Sequence, residues 1–284
     1  MEIGLIVAIV GWGLLVGVVF SAIGAAGGIL SSFGLITLFG VLDPNSVKPM
    51  TQIVVLATAL VFVPGYVRRG AVVPSLGVLL GLGGIAGAWA GSTVSALYLS
   101  DMATFRPLFG VLTLAIAAQI GWKLYRHVHG LRTGKTSPAR PFIGAVTEKV
   151  LQLGCMCFQY GETRYRVPVI SPLIAGAVIA FTAAIFGVGG GFLMVPYMAS
   201  ILGMPMHIIP ATSAIPIFMS LMVSVGNYLN LGAPLDWPIL VPLVAGAVLG
   251  AVLGPHVNRR LANHWLQAAM AVIVTGIGIK YVFF

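Results

Sequence analysis

Gly187-Val188-Gly189-Gly190-Gly191 is the stretch of this chain best suited to chemistry. Glycine inside a helix is about 1 kcal/mol worse than alanine, so three in a row within an apolar run predict unwound backbone. Unpaired N–H groups are costly in hydrocarbon, and non-helical backbone at that depth must face protein or a wet cavity. A helix restarting near Phe192 would aim its first N–H groups and its positive dipole end at that cavity. These are donors for an anion. Gly24-Ala25-Ala26-Gly27-Gly28 offers a second turn of the same kind. Gly24, Gly27, Gly28, Gly189, Gly190 and Gly191 are therefore the candidate backbone donors, with two positive dipole ends converging near the bilayer midplane.

Uncharged side chains accompany the glycines. Thr51 and Gln52 align with Thr212 and Ser213, and Asn227 lies late in the same apolar run as the latter pair. They would offer hydroxyl and amide donors to a bound oxyanion; such residues also bond between helices or back to the carbonyl four residues earlier. Ser31, Ser32 and Ser220 are weaker candidates, and Pro196, Pro210 and Pro216 are expected to kink or end helices nearby. Asp43, Asp101 and Asp236 fall between apolar runs. A span without a carboxylate argues against a proton or metal-cation pump. An intramembrane enzyme would need a nucleophile with its base, yet His207, His256 and His264 sit at or near run ends with no acidic residue at depth. His127-Val128-His129 and Cys155-Met156-Cys157 carry ligand-type side chains without a CxxC zinc spacing, so no metal or cofactor is expected.

The chain that must position these groups is almost entirely apolar. Of 284 residues, 59% are hydrophobic and 7% charged; a soluble domain carries about a quarter charged residues. Two cysteines exclude a disulfide-built fold, and 37 glycines without a Gly-X-Y period exclude collagen. Charge-poor runs cover about 3–42, 49–67, 70–100, 107–122, 167–203, 208–230, 237–256 and 261–284, each near or above the ~20 residues that cross a bilayer core. The N-terminus lacks a basic region and a cleavage site and is taken as part of the first span. An all-α polytopic membrane protein is expected, with eight main spans and up to ten crossings. Its partners would be a small anion and the lipid bilayer, with no nucleic acid; the net charge of +9 suits anion attraction. Glycine-ridged helices are compatible with a homodimer.

The polar interruption at 126–166 separates two transmembrane parts, 1–125 and 167–284. From Lys123 to Arg166 it holds eight of the fifteen basic residues, which places it in the cytoplasm by the positive-inside rule. Within it, Phe142 to Tyr160 is expected to form an interfacial amphipathic helix.

The two parts repeat. At a shift of 163, Gly24, Gly27 and Gly28 fall on Gly187, Gly190 and Gly191, and Gly83-xxx-Gly87-xxx-Gly91 falls on Gly246-xxx-Gly250-xxx-Gly254. Pro49-Met50-Thr51-Gln52 meets Pro210-Ala211-Thr212-Ser213 at a shift of 161. The small-xxx-small ridges are read as packing; the duplicated breaks are read as function. Arg68-Arg69 follows the second long run of the first part, whereas Arg259-Arg260 follows the third of the second. If both pairs are cytoplasmic, the parts face opposite ways. The missing crossing comes from 3–42 and 167–203, each more than ~50 Å as one straight helix and so better broken at its glycines. Two inverted repeats, each of about four helices with a glycine-broken first helix, suit alternating access.

Phe186-Gly187-Val188-Gly189-Gly190-Gly191-Phe192-Leu193-Met194-Val195-Pro196, with Leu202-Gly203-Met204-Pro205 and Ala211-Thr212-Ser213, resembles the sulfite exporter TauE/SafE family of bacterial inner-membrane permeases. The resemblance spans 4–125 and 167–284. The first half departs from it, with Ala25-Ala26 in place of glycine and Gln52 where the second half has Ser213. It implies export of sulfite or a small organosulfur anion such as sulfoacetate from the cytoplasm. A channel or a permease for another small anion is the competing reading.

Overall fold

The computed structural model describes residues 2–23, 27–67, 72–132, 146–152, 154–160, 163–204, 208–260 and 263–283. Gly24 and the Arg68-Arg69 pair lie outside them. Among the described residues ten helices and a small sheet follow one another: α1 (Ile3–Ile23), α2 (Gly27–Phe33), α3 (Pro44–Val67), α4 (Pro74–Tyr98), α5 (Met102–Arg132), β1 (Val146–Gln152), β2 (Cys155–Tyr160), β3 (Thr163–Pro168), α6 (Ile170–Phe186), α7 (Gly191–Pro196), α8 (Ile209–Asn230), α9 (Trp237–Arg260) and α10 (Asn263–Phe283). Short π-helical turns, Gly34–Leu38 and Tyr197–Ile201, continue α2 and α7. The second long apolar run is thus interrupted at its glycines, as expected; in the first, α1 ends at Ile23 and α2 begins at Gly27, with 24–26 outside the described residues. Five helices are long and apolar enough to cross a membrane among the described residues. Their outward faces, with those of α3 and α6, carry exposed Leu60, Trp89, Val111, Ile174 and Val252, a surface suited to lipid and not to water.

Three of these helices start the same way. Asp43 accepts the Asn45 N–H (2.9 Å) ahead of α3, Asp101 the Ala103 N–H (3.2 Å) ahead of α5, and Asp236 the Ile239 N–H (3.3 Å) ahead of α9. Each aspartate satisfies a donor that the first turn cannot bond internally. The chain's three aspartates are helix caps.

The direction of the helices follows from what touches what. In the first turn of α3, the Asn45 amide reaches the Ala96 carbonyl (3.2 Å) and the Lys48 ammonium the Leu99 carbonyl (2.8 Å) at the end of α4. Hence α3 and α4 are antiparallel. At the start of α4 the Val73 N–H donates to Thr212 Oγ1 (3.1 Å) in the first turn of α8, and at its end Ser92 accepts from Asn227 Nδ2 (2.8 Å) in the last turn of α8. So α4 and α8 are parallel. It follows that α3 and its repeat equivalent α8 run in opposite directions: the repeats are inverted. The same two-fold relation exchanges the principal packing partners, α1 with α9 and α6 with α4.

The small-residue ridges make those contacts. Gly83, Gly87 and Gly91 of α4 lie against the backbone at Leu173, Ala177 and Phe181 of α6, while Gly246 and Gly250 of α9 lie against Val10 and Leu14 of α1. A methyl at any of them would push two backbones apart.

The linker departs from expectation. Residues 146–160, inside the stretch expected to be an amphipathic helix, contribute β1 and β2 of an antiparallel sheet ordered β1-β2-β3, and 142–145 lie outside the described residues. The reason is a period of two: along β2 and β3, Met156, Phe158, Tyr165 and Val167 face one way and pack with Val73, Leu76, Ile208 and Ile209 at the starts of α4 and α8. Phe158 stacks on Tyr165 with ring centroids 4.9 Å apart. The sheet lies between α5, which continues to Arg132, and α6, with β3 running on to Pro168.

Candidate functional site

The break in the second repeat begins where α6 runs out of helix. Gly187 takes a left-handed conformation (φ 72°), its N–H donates to the Ala184 carbonyl, and the Val188 N–H returns to Ala183. This glycine-dependent cap closes the last turn. The carbonyls near it receive hydroxyls from neighbouring helices, Tyr228 Oη at Ala184 (2.9 Å) and Ser95 Oγ at Ile185 (2.6 Å). Gly189 is left-handed as well (φ 68°). Gly190 is not: its φ of −65° suits any residue, and its carbonyl accepts the Leu193 and Met194 N–H groups that start α7. The N–H groups of Gly189, Gly190, Gly191 and Phe192 carry no hydrogen bond among the described residues. All four residues are buried.

The first repeat supplies the walls. Gly28 of α2 lies directly against the Val188 backbone, so the two breaks meet. Gly27 rests on the Phe20 ring. From the other side, Gly187 touches the backbone of Lys48 and Gly189 touches the Val55 side chain. Lys48, Gln52 and Val55 are spaced four and three apart and share one face of α3, which puts Gln52 on the face turned to the unwound segment. Gln52 is fully buried, and neither its Oε1 nor its Nε2 has a partner. Ser31, on the α2 face that also carries Gly28, holds a second buried hydroxyl without a partner. Beside them Ser32 Oγ and Thr51 Oγ1 bridge α2 to α3 at 3.1 Å.

Buried polar groups are normally satisfied, and an orphaned one asks for a reason. Three of the five orphaned atoms among the described residues, on Gln52 and Ser31, belong to the helices that meet the bare amides; the other two are Arg106 Nε on α5 and Ser224 Oγ on α8. An assembly of unpaired donors next to an amide with both polarities can bind a small polar anion.

The structure does not bring every expected residue to this place. Thr212 is engaged in the scaffold, donating to the Ile208 carbonyl (2.7 Å) and accepting the Val73 N–H. Ser213 is buried and has a partner of its own. Asn227 donates to Ser92, Thr93 and the Trp89 carbonyl of α4, and lies fifteen residues beyond Thr212, about 22 Å along α8. Gln52 and Thr51, with Gly27, Gly28 and Gly189 to Gly191, do converge.

Sequence reasoning missed Lys48, which falls between the runs 3–42 and 49–67. It is inside α3, fully buried, with its ammonium on the carbonyls of Leu99 (2.8 Å) and Ser95 (3.2 Å) and on Asn45 Oδ1 (3.2 Å), 5.2 Å from the Phe105 ring centroid. The signal was there: Asp43-Pro44 is a cap followed by proline at the first helical position, which starts the helix ahead of the apolar run. A separate cavity of about 260 Å³ between α3 and α8, lined by Ala59, Leu60, Pro64, Phe218 and Met219 among others, is apolar and distinct from the polar cluster. Cys155 and Cys157 are free thiols, and no group of three metal-ligating side chains occurs among the described residues.

Among the described residues, ten helices in two inverted halves, broken where they meet in the apolar interior, make a polytopic membrane protein, and its relatives make it a transporter. The sequence model of the sulfite exporter TauE/SafE family matches residues 9–281, and the chain belongs to that family. It is 25% identical over 283 residues to a probable membrane transporter protein, YunE, of Bacillus subtilis (strain 168), with 95% of each chain covered. It is 26% identical over 281 residues to a probable membrane transporter protein of Xylella fastidiosa (strain 9a5c), covering 98% of this chain and 95% of that one. No solved structure matches.

Proposed function

We propose that the protein exports sulfite, or a small organosulfur anion of the same kind such as sulfoacetate, from the cytoplasm by alternating access. The observation that carries this reading is the meeting of the two breaks at Gly28 and Val188, beside four unbonded N–H groups and the unpartnered amide of Gln52. Gly27, Gly28 and Gly189 to Gly191 let backbone approach the anion, and Thr51 and Gln52 orient it. The family's name supports the sulfur oxyanion.

Charge supports the direction. In sequence, the ends of α3, α5 and α9 are closed or followed by Arg68-Arg69, the linker with its flanks, and Arg259-Arg260, twelve of the fifteen basic residues. At the other end stand Glu2 and the three aspartate caps. The basic end is cytoplasmic, so the membrane potential, negative inside, drives an anion outward. Inverted repeats whose breaks share one contact can rock about it to open each side in turn.

The test is flux from proteoliposomes loaded in turn with sulfite, sulfate and sulfoacetate. Saturable sulfite efflux with counterflow, exceeding sulfate efflux, is the expected result. Conductance that does not saturate would make the protein a channel, and absence of sulfite flux would overturn the substrate.

A further inference from the structure

Which charge state the site accepts follows from the stripe on α3, granted that the unwound segment Gly187–Gly191 is the anion site proposed above. Two features of the stripe bear on it. Gln52 presents a buried donor and a buried acceptor, both unpartnered. Exchanging the amide's oxygen and nitrogen would still leave one of each. Lys48 presents a buried positive charge whose hydrogen-bond acceptors, two carbonyls and an amide oxygen, are all uncharged.

A fully deprotonated oxyanion offers only acceptors. It would satisfy the bare N–H groups and Gln52 Nε2, but it would set an oxygen lone pair against Gln52 Oε1. It would also carry a second negative charge into the interior, and an uncompensated charge is expensive where water is excluded. A singly charged oxyanion that still carries its proton fits both features. Its oxygens accept from the backbone and from Nε2, its O–H donates to Oε1, and its single charge matches that of Lys48. We infer that the α3 stripe selects the protonated monoanion, hydrogensulfite in the reading above, with Gln52 as the residue that reads the proton and Lys48 as the charge that sets the valence.

Other charged or titratable groups around Lys48 are few. Asp43 caps the same helix, Tyr228 comes from α8 with its ring centroid 5.9 Å from the ammonium, and α5 brings Phe105 with Arg106 beside it. Neither α2 nor α6 carries an ionisable side chain. On the α3 face shared with Lys48 and Val55, Gln52 is the side chain that offers an unpartnered acceptor.

The test uses three probes of similar size in proteoliposomes at mildly acidic pH: hydrogensulfite, methanesulfonate (a permanent monoanion without an ionisable proton) and sulfate (a dianion). Wild type is expected to carry hydrogensulfite at least about tenfold faster than methanesulfonate, because a site built to bond an O–H rejects an analogue lacking it. Gln52→Met is expected to bring the two to parity. Gln52→Glu serves as a second variant of native shape; its carboxylate keeps the acceptor but adds a negative charge, and should slow every anion. Lys48→Met is expected to slow hydrogensulfite and methanesulfonate alike, leaving their ratio unchanged. Equal rates for the two monoanions in wild type, or a preference that survives in Gln52→Met, would overturn the inference while leaving anion export standing. Failure of wild type to carry any of the three would overturn the proposed site and this inference together.

Discussion

The two repeats share a scaffold and divide its chemistry unequally. Where α2 has Ser31 and Ser32, the shift of 163 places Met194 and Val195 in α7; where α3 has Lys48 and Gln52, the shift of 161 places Ile209 and Ser213 in α8. Only the second repeat has two left-handed glycines in its described break, at Gly187 and Gly189. The first repeat therefore contributes side chains, and the second contributes bare backbone. An inverted duplication needs symmetry for its motion, because both sides must open by equivalent movements. It does not need symmetry for recognition, since one ligand sits on the pseudo-two-fold axis and touches each half once. The asymmetry also separates groups that hold the fold from groups left over for a ligand.

The contact that joins the halves should be the most sensitive. At Gly28 an added methyl would overlap the Val188 backbone, whereas at Gly190 it would meet only Ile179 Cγ2 at 3.2 Å and Ala183 at 3.7 Å. Gly28→Ala should lower sulfite efflux by about 100-fold, the scale of a 1 Å misplacement of a reacting or binding group. Gly190→Ala should lower it by only a few-fold, since neither its φ nor its neighbours forbid a small side chain. Efflux rates of the two variants, normalised to protein inserted in the vesicles, make the comparison. Equal losses would mean that the breaks do not act through their contact.

Much of this architecture was legible in the sequence because membrane physics leaves few alternatives. Apolar runs longer than one span, interrupted by glycines, could only be broken helices, and the arginine pairs at different ordinal positions encoded the inversion. The linker was not legible by the same means. Its alternation of Met156, Phe158, Tyr165 and Val167 is short, and it becomes meaningful only against the surface at Val73, Leu76 and Ile208 that it covers. At the site, glycine and hydroxyl types were visible, but their status was not. Thr51 and Thr212 look equivalent in the aligned motifs, yet whether a hydroxyl is engaged depends on a partner more than a hundred residues away, as with Val73 and Thr212. Lys48 was hidden for a simpler reason. A hydropathy run ends at a charge, whereas a helix with a capping aspartate continues through it.

The paired threonines sharpen the same comparison at intermediate size. Thr51→Val removes the bond to Ser32 and leaves that hydroxyl without its partner at the wall of the site; sulfite efflux should fall by roughly tenfold, the equivalent of losing about 1.4 kcal/mol of interaction, with little change in thermal stability. Thr212→Val leaves the buried Val73 N–H unbonded. That change should destabilise the protein by about 1–3 kcal/mol, the cost of an unsatisfied buried donor, and leave the concentration for half-maximal transport unchanged. Thermal denaturation in detergent beside proteoliposome kinetics tests both. If Thr212→Val shifted substrate affinity and Thr51→Val shifted only stability, the division of roles between the halves would be reversed.

The smallest effect is expected at Asn227, and its smallness is informative. Its amide ties α8 to α4 through Ser92 and Thr93 at 2.8 Å each. Polar bonds between helices in a membrane average about 0.6 kcal/mol, because the separated helices find other partners. Asn227→Ala should therefore lower the unfolding midpoint by no more than a few degrees and leave both the rate and the ion selectivity of efflux intact. The same substitution at a residue lining the anion path would change selectivity before it changed stability. Measuring the hydrogensulfite-to-sulfate ratio alongside the midpoint separates the two cases. A changed ratio would extend the site along α8 to its last turn, about 22 Å from the first turn of that helix, and would give the second repeat a side chain in recognition after all.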